Sequence, residues 1–271
     1  MREIRVVLVG LGNLGRRFCE VVRDKAPLLA TRYGLRFQLV GAADSRGAAY
    51  DREGLDLEKV VQLKNDGGTI ADYPDAGRVG WGAVELVDAA EADVILDASP
   101  VNLREGAEPG LSSVRTALQK GMHAILPNKG PLVVAFRELH ALAEANKVAL
   151  RYDGTVAGGL PALNVGCRDL RGANVRLLEA VPNLVTGYVM DMLAEGLSWD
   201  QATTRAREEG VLEADASWDL DGWDAAAKLV IMANAVLGCD AQLEDVVRSG
   251  IDAVSREELR AALDRGERYR L

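Results

Sequence analysis

The sequence predicts an α/β protein in which a doubly wound parallel sheet is followed by a second, α+β domain. Three observations lead to this prediction. A β-branched run over residues 4–9 ends at Gly10. Strand and helix patterns then alternate up to about residue 152, as in a parallel sheet with crossover helices. After Asp153 the pattern changes to a glycine-rich loop and then mainly helices, so we predict domains 1–152 and 153–271.

Short apolar runs and amphipathic stretches give the elements of the first domain. Strands are expected over residues 4–9, 36–43, 94–97, 122–126 and 148–152, and helices over 14–30, 57–64, 109–120 and 133–146. Residues 45–80 are rich in Gly and Asp, so apart from the short helix we expect an irregular excursion.

The second domain opens with the glycine-rich loop 154–161, which leads into a helix ending near Leu170. A long strand is expected over 173–183, and helices over 185–195, 199–209, 223–237 and 256–265. The pairs Ser198 with Gln201 and Ser255 with Glu258 have the spacing of a capping box, which predicts where two of these helices begin.

Composition excludes several classes of protein. The 271 residues include 32 Lys and Arg against 41 Asp and Glu, a formal net charge of -9, so nucleic acid is a poor candidate as a partner. The three cysteines lack metal-site spacing, and two histidines exclude a multi-histidine centre. We find no apolar run long enough for a bilayer and no signal-peptide core at the N-terminus, so we expect a cytoplasmic protein without membrane partners.

A glycine fingerprint follows the first strand. Gly10, Gly12 and Gly15 form G-x-G-x-x-G between a strand and a helix, which is the context required for dinucleotide binding in a Rossmann domain. The first Gly permits a tight turn, the second lets the backbone approach the pyrophosphate, and the third lets helix and strand pack closely. The helix N-terminus then offers free N–H groups to the phosphates.

The end of the second strand bears on the choice of cofactor. Asp44 is placed to accept hydrogen bonds from the adenosine ribose hydroxyls, which favours NAD, whereas Arg46 could meet the 2′-phosphate of NADP. Asp44 is harder to move than Arg46, so we expect NAD with NADP tolerated. The alternative is that Asp44 is an ordinary turn residue with no contact to the cofactor, since the same sequence pattern would result.

Two lysines are candidate catalytic groups. Lys129 follows a strand of the doubly wound sheet, although a solvated loop lysine would look the same. Lys228 stands four residues after Asp224 at the start of an apolar helix, so the two side chains share one face. A surface ion pair is the alternative, but a buried helix and the crowding of acids before it favour a lysine that exchanges protons.

These motifs together resemble the homoserine dehydrogenase family over nearly the whole chain, from Gly10 to about Arg265. The resemblance is to a compact form with no fused kinase and no regulatory tail. It is most specific in the glycine fingerprint, in Glu105–Pro109 after Asp97-Ala-Ser99, in Asn128-Lys129 with Pro131, in Gly154–Pro161, and in Gly210–Asp215 running on to Asp224–Lys228.

The resemblance implies a role for each matching residue. The dinucleotide would be held by Gly10, Gly12, Asn13, Leu14 and Gly210, with Ser99 near the nicotinamide and Lys129 between cofactor and substrate. Glu213 and Asp224 would bind the amino-acid substrate, Asn183 and Thr186 would lie in the substrate region, and Lys228 would be the acid/base. Backbone carbonyls of Asp153, Val156, Gly158 and Leu160 match the family's monovalent-cation (Na or K) site, where the family usually has Glu at position 153.

The implied reaction interconverts L-homoserine and L-aspartate 4-semialdehyde with NAD or NADP, in a homodimer formed through the second domain. Leu184 and Val185 replace the Gly-Thr of the family's N-G-T-T-N motif, so we expect a smaller, less polar pocket and weak homoserine activity. The family continues beyond residue 271, so a natural short form, a fragment and one half of a split pair stay open. Another amino or hydroxy acid as substrate, and a non-catalytic dinucleotide-binding protein, also stay open.

Overall fold

The computed structural model describes residues 1–212 and 216–271 of the chain. By its internal contacts the chain divides into two compact units, Met1–Leu160 and Pro161–Leu271. All seven strands found in the described residues belong to one sheet in the first unit, and the described part of the second unit is helical. None of the described helices combines the length and the apolar character needed to span a bilayer.

The first unit alternates strands with helices along the chain. Its strands are β1 Arg2–Val9, β2 Leu35–Asp44, β3 Gly47–Tyr50, β4 Gly77–Val79, β5 Val94–Asp97, β6 His123–Ile125 and β7 Leu150–Arg151. Its helices are α1 Asn13–Tyr33, α2 Leu57–Asn65, α3 Ala83–Ala89, α4 Gly110–Gln119, α5 Gly130–Ala145 and the single turn α6 Gly154–Ala157.

The strand order β4-β3-β2-β1-β5-β6-β7 confirms the doubly wound sheet. The five strands β2, β1, β5, β6 and β7 are parallel, and the chain winds outward from β1 in both directions. The strand order reverses between β1 and β5, so their carboxyl ends form the crevice where ligands bind in such sheets. Val7 and Leu8 of β1 are fully buried, which fits a central strand covered on both faces.

The excursion over 45–80 contains two strands that the sequence did not predict. β3 and β4 pair antiparallel with β2 and with each other and extend one edge of the sheet. The chain packs closely here, which requires a glycine at position 77: a Cβ on Gly77 would lie 2.0 Å from the carbonyl oxygen of Ala71. Gly and Ala carry little β-propensity, so the pattern gave no strand signal.

The second unit is built from short helices. They are α7 Ala162–Asn164, α8 Leu184–Ala194, α9 Trp199–Glu208, α10 Ser217–Leu220, α11 Trp223–Met232 and α12 Arg256–Asp264, with π-helical turns over Val165–Asp169 and Ala233–Leu237. Ser198 and Ser255 form the two predicted capping boxes at the starts of α9 and α12. Val189, Met190, Leu193 and Leu259 lie in the core that α8 and α12 share.

The strand predicted over 173–183 is wrong. Residues 174–183 have no regular secondary structure, and the described residues of this unit offer no strand for them to pair with. A strand needs a partner strand for its N–H and C=O groups, and a local sequence pattern cannot supply one. Leu177 and Val181 on this segment are 71% and 59% exposed.

Candidate active site

The glycine fingerprint packs directly against the end of β5. Gly10 has φ +95°, and a Cβ on it would lie 2.3 Å from the carbonyl oxygen of Ala98 and 2.5 Å from the amide nitrogen of Ser99. A Cβ on Gly15 would lie 2.0 Å from the carbonyl oxygen of Gly10. Both positions therefore exclude any side chain, and the loop brings the start of α1 onto the crevice between β1 and β5.

The start of α1 offers an open cradle. Gly12 is the N-cap of the helix, and apart from Gly12 and its chain neighbours no atom lies within 4 Å of the position that its Cβ would take. Leu14 is 53% exposed, and the Asn13 side chain accepts a hydrogen bond from Arg16 at 2.7 Å. Free N–H groups and the positive end of a 21-residue helix face this space, an arrangement that suits a pyrophosphate.

Asp44 lies at the end of β2 as predicted, but its carboxylate is already engaged. Its oxygens accept hydrogen bonds from Lys64 Nζ at 2.6 Å, from Thr69 Oγ1 at 2.9 Å, and from the backbone N–H groups of Ile70 and Arg46, each at 2.9 Å. Burial acts to raise the pKa of Asp44, but these hydrogen bonds outweigh it and hold the pKa below its ordinary value. The four bonds use the acceptor sites that a carboxylate offers to ribose hydroxyls.

Arg46 lies on the exposed side of the same turn. Its guanidinium donates to the carbonyl oxygen of Gly67 at 2.9 Å, and the residue is exposed. Asp44 was expected to favour NAD and Arg46 to favour NADP. In the structure Lys64 balances the charge of Asp44 while Arg46 faces solvent, so the two residues are not equally available to a cofactor.

Ser99 and Lys129 follow neighbouring strands and are linked by a buried polar cluster. Ser99 Oγ donates to Asp97 Oδ1 at 2.6 Å, and Asn128 Nδ2 donates to Asp97 Oδ2 and Ser99 Oγ, each at 3.1 Å. Asn128 Oδ1 accepts from the backbone N–H of Gly130 at 2.9 Å, and Lys129 between them is the N-cap of α5. The backbone of Lys129 is thus fixed at the carboxyl edge of the sheet.

The predicted cation loop begins with the helical turn α6. Asp153 is its N-cap, Val156 is buried, Gly158 follows the turn, and Leu160 is 70% exposed. In this loop the N–H of Thr155 donates to the Tyr152 carbonyl oxygen, and the N–H of Leu160 donates to the Ala157 carbonyl oxygen. Carbonyl oxygens are ligands that hard cations accept, so the four predicted carbonyls stay candidates for a monovalent-cation site.

In the second unit, four polar side chains converge at the starts of α8 and α11. Lys228 Nζ lies 2.8 Å from Asp224 Oδ2 and also donates to the carbonyl oxygen of Pro182 at 2.8 Å. Asn183 Nδ2 donates to Asp224 Oδ2 at 2.8 Å and to Asp219 Oδ1 at 2.7 Å. The side chains of Lys228 and Asp224 are 16% and 7% exposed, so the exposed ion pair considered as an alternative is wrong.

Asn183 and Thr186 hold this arrangement from the α8 side. Asn183 is the N-cap of α8, and its Oδ1 accepts from the backbone N–H of Thr186 at 3.1 Å. Thr186 is fully buried, and its hydroxyl donates to the carbonyl oxygen of Asn183. Leu184 is 79% exposed, so the expectation that it narrows a pocket is wrong: the cap turns the chain into a helix whose first residue faces solvent.

The remaining predicted residues are Gly210 and Glu213. Gly210 has φ +72° and follows the end of α9, where its N–H donates to the carbonyl oxygen of Arg207. That conformation favours glycine and terminates the helix. Glu213 lies outside the described residues.

Sequence reasoning did not single out Lys64, Asp97 or Asp219. Asp97 and Asp219 stand within the motifs described above. The position of Asp97, an acid at the end of a buried strand, could have indicated its role. Lys64 lies 20 residues from Asp44 and carried no local signal.

Comparisons with known proteins find matches for both parts of the chain. A sequence model described as the NAD-binding domain of homoserine dehydrogenase matches residues 10–153, and one described as homoserine dehydrogenase matches residues 161–271. The chain is 33% identical to a homoserine dehydrogenase of Methanocaldococcus jannaschii, over 98% of this chain and 79% of that protein. It is 31% identical to an NAD(+)-dependent homoserine dehydrogenase of Pseudomonas canavaninivorans, over 100% of this chain and 77% of that protein.

Solved structures give the same result. A homoserine dehydrogenase from Thermoplasma acidophilum matches with a TM-score of 0.80 and 29% identity, covering 96% of this chain and 76% of that one. A hyperthermophilic archaeal homoserine dehydrogenase in complex with NADPH matches with a TM-score of 0.82 and 26% identity, covering 94% of this chain and 75% of that one.

Proposed function

The chain belongs to the homoserine dehydrogenase family, and we propose that it interconverts L-homoserine and L-aspartate 4-semialdehyde with NAD or NADP. The observation that carries this proposal is the largely buried ion pair of Lys228 and Asp224, fixed by Asn183. A lysine held in this way presents positive charge and an exchangeable proton at one point, which an alcohol–aldehyde interconversion requires.

Lys228 is the acid/base in this proposal. When homoserine is oxidised, the Nζ of Lys228 accepts the proton of the substrate hydroxyl. In the reverse direction, Lys228 protonates the alkoxide. Asp224, 2.8 Å away, stabilises the ammonium form, and Asn183 keeps that carboxylate in place. The dinucleotide supplies hydride transfer at its nicotinamide. Glu213 and Asp224 bind the α-ammonium group of the substrate, while Asn183 and Thr186 shape that end of the site.

The first unit binds the dinucleotide. The cradle at Gly12 and the start of α1 takes the pyrophosphate, with Gly10, Asn13, Leu14 and Gly15 forming its walls. Ser99 sits near the nicotinamide, and Lys129 between cofactor and substrate. Gly210 contributes a backbone contact to the cofactor.

Assembly and ion binding follow the family pattern in this proposal. A homodimer forms through the second unit, supported by Leu177, Val181 and Leu184, which are 71%, 59% and 79% exposed. Carbonyl oxygens of Asp153, Val156, Gly158 and Leu160 bind Na or K. The enzyme works in the cytoplasm, where its three cysteines, none of which forms a disulfide in the structure, stay reduced.

A spectrophotometric assay at 340 nm tests the activity. Purified protein with L-homoserine and either NAD or NADP is expected to produce reduced cofactor, and L-serine and L-threonine serve as matched substrates with the same α-amino acid group. Turnover of another hydroxy acid without turnover of homoserine would replace the proposed substrate. Dinucleotide binding without turnover of any of them would favour a binding protein.

A further inference from the structure

Asp97 at the end of β5 is a buried acid without a basic partner. It is fully buried, and its carboxylate accepts from Ser99 N–H at 3.0 Å, Ser99 Oγ at 2.6 Å and Asn128 Nδ2 at 3.1 Å. In the described parts of the chain no lysine, arginine or histidine forms an ion pair with it. Burial raises its pKa, opposed by the hydrogen bonds from Ser99 and Asn128. An unpaired buried acid is costly, which calls for a reason beyond packing.

Its partners are the groups placed at the nicotinamide end of the site. Asp97 Oδ1 takes both donors of Ser99, and Oδ2 takes Asn128. Asn128 links this cluster to the start of α5, because its Oδ1 accepts from the Gly130 N–H at 2.9 Å. The backbone N–H of Asn128 also donates to the Asp97 carbonyl oxygen at 3.3 Å. Lys129 lies between these anchored residues.

The cluster is sealed by the start of α4. A Cβ on Gly110 would lie 2.6 Å from Asp97 Oδ2, 2.8 Å from Asn128 Nδ2 and 3.1 Å from Ser99 Oγ. The start of α4 therefore approaches the three polar side chains as closely as a glycine permits.

We propose that Asp97 is a positioning residue, which holds the Ser99 hydroxyl toward the nicotinamide and, through Asn128, fixes the backbone that presents Lys129. This inference rests on the proposed function, and it assigns Asp97 no contact with cofactor or substrate.

The hydrogen-bond directions explain why the position needs an acid. An asparagine at position 97 that kept its oxygen toward Ser99 would direct its NH₂ group at the Nδ2 of Asn128, donor against donor. If Asn128 flipped to accept that bond, its own NH₂ group would face the N–H of Gly130. Asp97→Asn thus preserves shape but breaks the connection to Lys129. The swap Asp97→Asn with Asn128→Asp places a donor at position 97 and, at position 128, acceptors for both that new amide and the Gly130 N–H.

The test compares Asp97→Asn, the swap, and the control Ser113→Ala in the full-length protein. Ser113 is a fully buried hydroxyl in α4 that donates to the Pro109 carbonyl oxygen, outside the cluster. We expect Asp97→Asn to lower kcat by about 10- to 100-fold while the Kd for NADH changes by less than about threefold, since the phosphates are held elsewhere. Hydrogen exchange at Gly130–Val133, measured without cofactor, should accelerate. The swap should regain about tenfold in kcat and slow the exchange, and Ser113→Ala should change neither.

The inference is overturned if the Asp97→Asn variant keeps a kcat and a hydrogen-exchange rate near those of the wild type. It is also overturned if the swap restores neither kcat nor slow exchange, or if Ser113→Ala lowers kcat as much as Asp97→Asn does. If Asp97→Asn does not fold, Asn128→Ser cuts the same link from the other side and must give the same losses. A wild-type protein that does not oxidise homoserine overturns the proposed function and this inference with it, whereas an active wild type with an active Asp97→Asn variant overturns the inference alone.

Discussion

Lys64 Nζ lies 2.6 Å from Asp44 Oδ2, in an ion pair whose side chains are 14% and 7% exposed. The pair joins the end of β2 to the last turn of α2, and Lys64 also donates to the carbonyl oxygen of Gly68 at 2.9 Å. The acid expected to recognise the adenosine ribose is therefore part of the framework that holds residues 64–70 against the sheet. This relationship changes the expectations for both stability and cofactor choice.

Removing one partner should destabilise the first unit more than removing both. Asp44→Ala leaves a poorly exposed lysine without its carboxylate, and loss of one partner from a buried pair costs about 3 kcal/mol. Asp44→Ala with Lys64→Met should lose less than Asp44→Ala alone. Chemical denaturation of the two single variants and the double variant measures this coupling, and Arg17→Ala, which breaks an exposed pair with Glu20, is the control. Additive losses would contradict a coupled pair.

The same acid predicts a dependence on pH. The pKa of Asp44 is lowered in the folded protein, so its stabilisation is complete above the ordinary aspartate pKa of about 3.9 and is lost as the pH falls through the lower folded value. The difference in unfolding free energy between wild type and Asp44→Asn should be constant near pH 7 and shrink below about pH 4. A difference that persists unchanged at about pH 2, well below the ordinary aspartate pKa, would contradict this assignment.

Cofactor choice should depend on Arg46 more than on Asp44. Lys64 offsets the charge that would repel a 2′-phosphate, so the preference for NAD expected from the sequence loses its main support, and we expect Kd values for NAD and NADP within about tenfold. Arg46→Ala should weaken NADP binding about tenfold or more, the value of one charge-assisted contact, and leave NAD nearly unchanged. Isothermal titration with both cofactors measures this. An equal effect on both would place Arg46 outside the phosphate site.

The sequence predicted what depends on local pattern. The doubly wound sheet, the family and the use of NAD or NADP are confirmed, and both capping boxes form because their partners stand three residues apart. The glycine fingerprint lies where predicted, but only the structure reveals that Gly10 packs against the Ala98–Ser99 peptide.

The predictions that were wrong concern features set by the surrounding structure, which the motif itself does not reveal. The strand predicted over 173–183 needed a second strand to pair with, and a local sequence pattern does not reveal whether one exists. Asp44 is engaged by residues 20 to 26 positions later, which no motif around Asp44 reveals. Leu184 was expected to face a pocket because it was aligned with a motif, whereas the cap at Asn183 directs it to solvent.

Lys228 should be required for turnover but not for dinucleotide binding. Its Nζ is held between Asp224 and the Pro182 carbonyl oxygen, and loss of a positioned proton donor or acceptor lowers kcat by about 10²- to 10⁴-fold. Lys228→Met keeps the packing of the lysine stem, so it separates the chemical loss from a packing defect, which Lys228→Ala adds. Arg205→Ala breaks an exposed pair of the same i, i+4 spacing with Glu209 and should leave kcat unchanged. Steady-state rates with homoserine, together with Kd values for NADH, measure the two effects separately. A Lys228→Met enzyme with near wild-type kcat would remove Lys228 from the chemistry, and a parallel loss of NADH binding would mean that it acts on the fold instead.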